Sequence, residues 1–499
     1  MDFTVLRDLA AGNTWWAIWP ELGLGFLALF LLVLETVLPK SAHGKIPAIS
    51  IAAQLGILAA LLANFDRSHH EIFNGLLMQS PQGELMRVFF IVSSILVSVL
   101  GRVSLPGRGV PRVEFHHIVL VVAAAMMLLV QSRNFVMLFV ALETVTVGLY
   151  ILVSYYRSNP KTLEAGLKYL VMGALSSALL LFGIVLLYGV AGSAGLAGRT
   201  PAGMYFVGLA GFLEANPHNF MAAAGIVLVL SGIAFKIGAF PFQVWVPDVY
   251  QGAPTPVTAF LAVASKAAGF VVLLVLVTQV FTPYDWLVGP VLVFMSAATM
   301  LFGNLAALKQ NNVKRLIGLS GVSHAGFILL AVASASQVPS AVGAVYFYLI
   351  VYLIASFAVF GVMTILAGPD DAQQDLSDYS GLAKKSPFLA GVLGCGLGSL
   401  AGIPPLAGFM GKLFVFIAAF KAGHYGLLAV AVVCVAISIY YYFGWIRSAY
   451  FSDEAAISPA IESRVAGGGT LVRVTLAVLA AASVILGFYQ GPLGHLISR

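Results

Sequence analysis

Residues 231–256 read SGIAFKIGAFPFQVWVPDVYQGAPTP. An apolar run leads into them and another follows. The stretch itself holds a lysine, Lys236, and four prolines, Pro241, Pro247, Pro254 and Pro256. A lysine in hydrocarbon costs roughly 2.5–3.5 kcal/mol on insertion scales. A proline removes a backbone donor where no water replaces it. A packed bundle tolerates both when a helix breaks there, because the freed backbone groups then line a cavity rather than lipid. The stretch reads as an interrupted transmembrane helix.

Composition agrees. The chain has 499 residues, 60% of them hydrophobic and only 9% charged. A soluble domain carries about 25% charged residues, so this chain is expected to be an all-α polytopic membrane protein with the lipid bilayer as its surroundings. The 51 glycines suit close helix packing. The net charge of +6 is assigned to basic loops, and no nucleic-acid partner is expected. Cys395 and Cys434 stand in apolar segments without a CxxC or a Cys/His cluster, which argues against zinc or iron–sulfur sites. Gly411-Lys412 is not a phosphate-binding loop, since Leu413 follows and Leu406 occupies the required glycine position. No cofactor or metal is expected on this chain. The first apolar run, 15–38, is too long for a signal peptide and reads as an uncleaved helix.

Apolar runs of about 20 residues predict fourteen helices. They lie near 16–38, 46–65, 85–105, 116–132, 134–155, 163–190, 219–240, 256–281, 286–307, 314–336, 339–367, 388–421, 424–450 and 470–489. The longest pieces between them are 66–84, 191–218, 368–387 and 451–469. Helix 7 breaks at GAFPF (238–242) and helix 12 at GIPPLAGFMGK (402–412), each beside a lysine. The breaks are five helices apart, and an odd offset inverts one copy relative to the other. The expected organisation is helices 1–3 in residues 1–115, a first five-helix repeat in 116–281, a second inverted repeat in 286–450, and a loop with helix 14 in 451–499. One set of alternate loops carries 15 Lys and Arg; the other, with both termini, carries 7. The positive-inside rule then places both termini on the non-cytoplasmic side of the cell (inner) membrane.

Ionisable residues within membrane helices mark function by default. Glu143 stands mid-helix in NFVMLFVALETVTVGLY, and Lys236, Lys266 and Lys412 stand within apolar runs near the breaks. Lys168 lies about one turn into helix 6, close enough to the interface to snorkel. His324, in GVSHAGF, is the one histidine well inside a helix. Burial disfavours the charged form of such groups and a nearby opposite charge restores it, so moving one charge can move a neighbour's proton. The set is expected to form a proton relay. Glu21, Glu35, His116 and His117 are read as interfacial, Tyr440, Tyr441 and Tyr442 as packing or belt residues, and Asp370, Asp371, Asp375 and Asp378 as a solvated loop.

Four stretches together carry a resemblance: EAGLKYLVMGALSSALLLFG, FKIGAFPFQVWVPDVYQGAPTPVTAFLAVASKAAGF, NLAALKQNNVKRLIGLSGVSHAGFILL and LAGIPPLAGFMGKLFVF. Over roughly 115–450 the chain resembles the antiporter-like, proton-translocating subunits of NADH:quinone oxidoreductase, respiratory complex I, and within that family the subunit N branch. The resemblance implies roles for Glu143 in helix 5, Lys168 in helix 6, Lys236 in helix 7, Lys266 in helix 8, His324 in SHAGF and Lys412 in helix 12. The sister subunit M has a glutamate at the position of Lys412. Phe327 replaces the family's usual tyrosine after the histidine. The family implies a translocase whose redox chemistry lies elsewhere, with NADH, FMN, iron–sulfur clusters and quinone on partner subunits. The implied partners are subunit M, the small J, K, A and H types and, indirectly, the peripheral redox arm. The alternative is a subunit of a multi-subunit cation/proton antiporter, which shares lysines, breaks and fold.

Overall fold

The computed structural model describes residues 13–192, 202–368, 371, 374–451, 469–491 and 494. Among the described residues, thirteen helices are long and apolar enough to cross a membrane. In chain order α1 to α11 are Trp15–Val37, Ser41–Ala63, Pro81–Ser104, Arg112–Gln131, Phe135–Val153, Pro160–Ala191, Phe220–Ile237, Thr255–Val280, Thr282–Ala307, Val313–Ser334 and Ser340–Leu366. Then α12 comes as two halves, Pro387–Ala401 and Ala407–Lys421, followed by α13 (Tyr425–Phe451) and α14 (Thr470–Phe488). Among the described residues the chain is thus a helical, multi-pass membrane protein with thirteen candidate spans and the interrupted α12, broken where expected. Arg7, Arg199, Arg464, Arg499 and Asp370, named or counted above, lie outside the described residues.

Local chemistry explains the helix starts. Asn134, Asn159, Asn219, Asn312 and Ser386 each accept a backbone N–H of the first turn, satisfying a donor the helix leaves free. The loop between α2 and α3 forms a two-stranded hairpin, His70–Ile72 with Leu77–Gln79. The loop after α6 contains a short helix, Phe206–Ala215, which apolar-run length alone did not predict.

Three helices, α8, α10 and α11, are buried almost all round and form the centre of the bundle. They are mostly apolar all round, as buried helices are, with Lys266, Lys314 and His324 among the polar exceptions. Close backbone approach sets two contacts. A β-carbon added at Gly183 of α6 would lie 2.8 Å from the Gly225 carbonyl oxygen of α7, and one at Gly303 of α9 would lie 2.8 Å from the Leu319 carbonyl oxygen of α10. Exposed apolar side chains such as Phe26, Leu167, Phe182 and Val433 cover the periphery.

Both breaks end their first half in the same way. Gly238 (φ 69°) and Gly402 (φ 84°) are left-handed. The amides of Gly238 and Ala239 bond the carbonyls of Phe235 and Ala234, and those of Gly402 and Ile403 bond the carbonyls of Ser399 and Gly398. This paired closure needs a residue without a β-carbon penalty at the turn. After the first break the chain forms a short helix, Val246–Gly252, before α8 begins.

Several expectations are corrected. Helix α3 begins at Pro81 rather than 85, so Glu84 falls inside it, and Arg87 lies in its second turn. Arg87 is buried, donates from Nε to Glu21 at 2.8 Å, and pairs with Glu84. Glu21 is therefore buried rather than interfacial. Glu21 from a distant segment and Glu84 one turn back on α3 balance the buried guanidinium. His116 is fully buried as well. Asp371 is not solvated: it pairs with Lys314 at 2.6 Å, and both side chains are buried.

Candidate functional site

Glu143 and Lys236 lie on neighbouring helices. Glu143, half-buried on α5, accepts a 2.5 Å hydrogen bond from Ser177 Oγ of α6. Lys236 stands in the last turn of α7, just before the break, and is buried. Its Nζ donates to Thr146 Oγ1, three residues along α5 from Glu143. Thr146 is itself fully buried and donates onward to the Leu142 carbonyl at 2.7 Å. The contact thus joins Lys236 to the turn that carries Glu143, with a hydroxyl as immediate partner.

Lys266 occupies the centre. A π-helical turn, Leu261–Ser265, immediately precedes it in α8, and a second, Leu276–Val280, ends the helix. Such turns recur at functional sites because they re-aim side chains and free backbone groups. The Lys266 ammonium is buried and has no hydrogen-bond partner among the described residues. It sits 5.6 Å from the centroid of the Tyr250 ring. A β-carbon added at Gly321 of α10 would lie 2.9 Å from Lys266 Nζ and 2.9 Å from the Tyr352 hydroxyl. Gly321 is therefore the gap through which the ammonium reaches α10. His324 follows one turn later on the same helix.

His324 bonds two phenols, Tyr348 at 2.7 Å through Nδ1 and Tyr442 at 3.1 Å through Nε2. Its ring also lies 5.1 Å from that of Tyr352. Phenols can donate or accept, so either tautomer is accommodated. A small cavity, of about 10 Å³, lies between His324, Tyr348, Tyr352, Ser399 and Lys412. That is room for about one water molecule. Lys412, in the second half of α12, donates 2.8 Å to the Ala401 carbonyl, the last of the first half. The Phe327 ring centroid lies 5.2 Å from its Nζ.

The structure thus buries Lys236, Lys266, His324 and Lys412 inside the bundle, with the half-buried Glu143 on the turn of α5 that Lys236 contacts. It does not bring Lys168 there. That side chain is 43% exposed and pairs at 2.7 Å with both Glu164 and Asp248. Asp248 also meets Arg315 at 2.7 Å. The hydrogen bond from Lys168, foremost, with Arg315 adding to it, holds the Asp248 carboxyl below its ordinary range. Sequence reasoning missed Thr146, Ser177, Tyr348, Tyr352 and Tyr442, since a hydroxyl in an apolar helix is common and only its neighbours give it a role. Tyr442 was read as packing.

What the arrangement can do is pass protons. Lysine, histidine and tyrosine all bind and release one, and a water-sized cavity can bridge a gap. Among the described residues no group of three or more His, Cys, Asp or Glu side chains is placed to hold a metal ion.

Residues 132–438 match the NADH:quinone oxidoreductase/Mrp antiporter transmembrane family. The chain is 64% identical to NADH-quinone oxidoreductase subunit N 1 of Opitutus terrae, over 99% of both chains. It is 34% identical to NADH-quinone oxidoreductase subunit N of Desulfitobacterium hafniense, over 95% of this chain and 96% of that one. Its fold matches a chain of respiratory complex I from Thermus thermophilus with a TM-score of 0.78 and 30% identity, covering 96% of this chain and 99% of that one. A chain of the Mrp complex from Dietzia sp. has the same fold, with a TM-score of 0.78, 23% identity and 96% of each chain covered.

Proposed function

The chain belongs to the NADH:quinone oxidoreductase/Mrp antiporter family, as a proton-translocating membrane subunit of an NADH:quinone oxidoreductase, and we propose that its proton passes along the buried line from Glu143 to Lys412. The observation that carries this reading is the Lys266 ammonium, buried without a hydrogen-bond partner among the described residues and aimed through the gap at Gly321 toward the helix of His324. A permanently charged group left in that state would be costly. A group that exchanges its proton with Lys236 on one side and His324 on the other has a reason to be there.

On this reading, quinone reduction elsewhere in the complex shifts charge along the membrane axis. Glu143 and Lys236 attract one another when both are charged, and Thr146 holds the ammonium when they separate. The Lys236 proton then moves through Lys266 and His324 to Lys412 and is released on the opposite side. Lys168 contributes from the edge, through Asp248. The chain has membrane-subunit partners, and we assign them as subunit M and the small J, K, A and H types, with NADH, FMN, iron–sulfur clusters and quinone on the redox subunits. The location is the cell membrane, with both termini on the non-cytoplasmic side. Helices α4–α8 and α9–α13 form the two inverted repeats, a view supported by the identical glycine closures at Gly238 and Gly402.

The test is Lys236→Ala in the assembled complex. The expected result is normal assembly with a severalfold loss of coupled quinone reduction and proton pumping. Proton pumping at the wild-type rate would sink the relay. The alternative, a cation/proton antiporter subunit, is addressed by affinity purification: flavin and iron–sulfur subunits should co-purify, whereas small membrane proteins alone would favour the antiporter.

A further inference from the structure

We propose that Asp371 is a positioning residue for proton transfer: it clamps the start of α8 to α10 and so sets the approach of Lys266 to His324. The inference rests on the relay reading above.

Asp371 lies in the loop after α11, far in sequence from Thr255 and Lys314, which it holds. Its Oδ2 receives Lys314 Nζ of α10 at 2.6 Å and the Thr255 backbone N–H at 3.0 Å. Its Oδ1 receives Thr255 Oγ1 at 2.7 Å and Gln374 Nε2 at 3.1 Å. Thr255 is the first residue of α8, the helix that carries Lys266. Lys314 also donates 2.6 Å to the Ala253 carbonyl, just before that helix. One carboxylate therefore joins the first turn of the Lys266 helix to the first turn of the His324 helix.

The geometry beyond the clamp is direct. Positions 314, 318, 321 and 324 succeed one another at three- and four-residue spacing, so they share one face of α10. Gly318 packs on the Tyr250 ring, and a β-carbon there would lie 3.1 Å from it. Tyr250 in turn underlies the Lys266 ammonium. Gly321 meets that ammonium, and His324 comes next. If α8 slid or tilted against α10 at the clamp, the Lys266–Gly321 contact would open, because packed helices move as stiff rods. A loop residue whose only task was to seal the surface would need neither the charge pair nor the two bonds to Thr255. Besides Lys314, the charged or titratable groups facing Asp371 are Arg108, Tyr156 and Tyr379. Arg108 is engaged with the Gly368 carbonyl and stacks 4.5 Å over Tyr156.

The experiment compares Asp371→Asn, Asp371→Glu and Lys266→Ala in the full complex in native membranes. It reads protons pumped per NADH oxidised, with assembly checked on native gels. The expected result is a normally assembled Asp371→Asn complex whose ratio falls at least twofold, with Asp371→Glu restoring most of it. An unchanged ratio in Asp371→Asn beside a collapsed ratio in Lys266→Ala overturns the positioning role while leaving the relay standing. Equal losses in Asp371→Asn and Asp371→Glu overturn it too, since they point to loop structure alone. A wild-type ratio in Lys266→Ala removes the relay itself. If Asp371→Asn does not assemble, Thr255→Val, which deletes one bond to the carboxylate, takes its place; an unchanged ratio there overturns the proposal.

Discussion

Lys412 Nζ donates 2.8 Å to the Ala401 carbonyl. The lysine of one half-helix thus satisfies a carbonyl that the break leaves free at the end of the other. Lys236 does the reverse. It stands before its break and turns away from it, to Thr146 on α5, while the Trp245 indole takes the Phe235 carbonyl at 3.2 Å. The two breaks share a backbone closure and differ in how their lysines use it.

That contact makes Gly402 a sensitive position. Its φ of 84° costs an L-residue about 1–2 kcal/mol, and an added β-carbon would also lie 2.8 Å from Lys412 Cδ. Gly423 supplies a control, with φ 77° and nothing within 4 Å of an added β-carbon. Both Gly402→Ala and Gly423→Ala are expected to lower the melting temperature by a few degrees. Only Gly402→Ala should reduce proton pumping, measured in vesicles of the whole complex. Equal pumping in the two variants would remove the role of the lysine.

Gly321→Ala separates packing from proton transfer. The site is helical, so the backbone loses nothing, and the atoms an added methyl meets are the far ends of flexible side chains, Lys266 Nζ and Tyr352 Oη at 2.9 Å. Stability should therefore change by less than about 1 kcal/mol, while the ammonium is pushed from α10. Quinone-coupled pumping is expected to drop severalfold with wild-type assembly. A melting curve and a pumping assay on one preparation check both halves.

Thr146→Val keeps the shape of a fully buried side chain and deletes the hydroxyl that receives Lys236. A hydrogen bond to a charged group contributes about 1.5–3 kcal/mol, and its loss leaves the lysine unpartnered. Lower thermal stability and slower pumping should both follow. Thr146→Ser, which restores the hydroxyl, should recover most of each. A Val variant that pumps like the wild type would mean that Lys236 does not depend on this partner.

Asp371 predicts an acid limb of stability. Burial alone would raise its carboxyl, but the Lys314 ammonium, with the hydrogen bonds from Lys314 and Thr255, outweighs that and holds it below its ordinary value. A folded-state value below the unfolded one, about 3.9, stabilises fully above that pH and is lost as pH falls through the folded value. The difference in melting temperature between wild type and Asp371→Asn should be constant from about pH 8 to pH 5 and shrink below about pH 4. A difference that instead grows on acidification would show the pair to be mis-assigned.

Much of the architecture is legible in the residues. Runs of apolar side chains must become helices in a bilayer, because no water is available to satisfy the backbone. Pro241 and the pair Pro404–Pro405 mark the breaks for the same reason. Lys236, Lys266 and Lys412 stand out because a cation in such a run demands an explanation. These readings depend on the solvent and on local covalent chemistry, which are known from the sequence.

The remainder depends on which side chains meet. Arg87, near the start of an expected helix, gave no hint that Glu21 and Glu84 would pair with it inside the bundle. Asp371 looked solvated until Lys314 and Thr255 were seen to enclose it. Lys168 was placed near the interface by its position, but that Glu164 and Asp248 hold it there was not legible. Thr146 carried no signal at all, and Tyr442 was read as packing or belt until His324 was seen to bond it. Composition and periodicity establish that polar groups enter the membrane and on which helix. Their partners come from elsewhere in the chain, brought within hydrogen-bonding distance by helix packing, and a charge or hydroxyl takes its role from that partner.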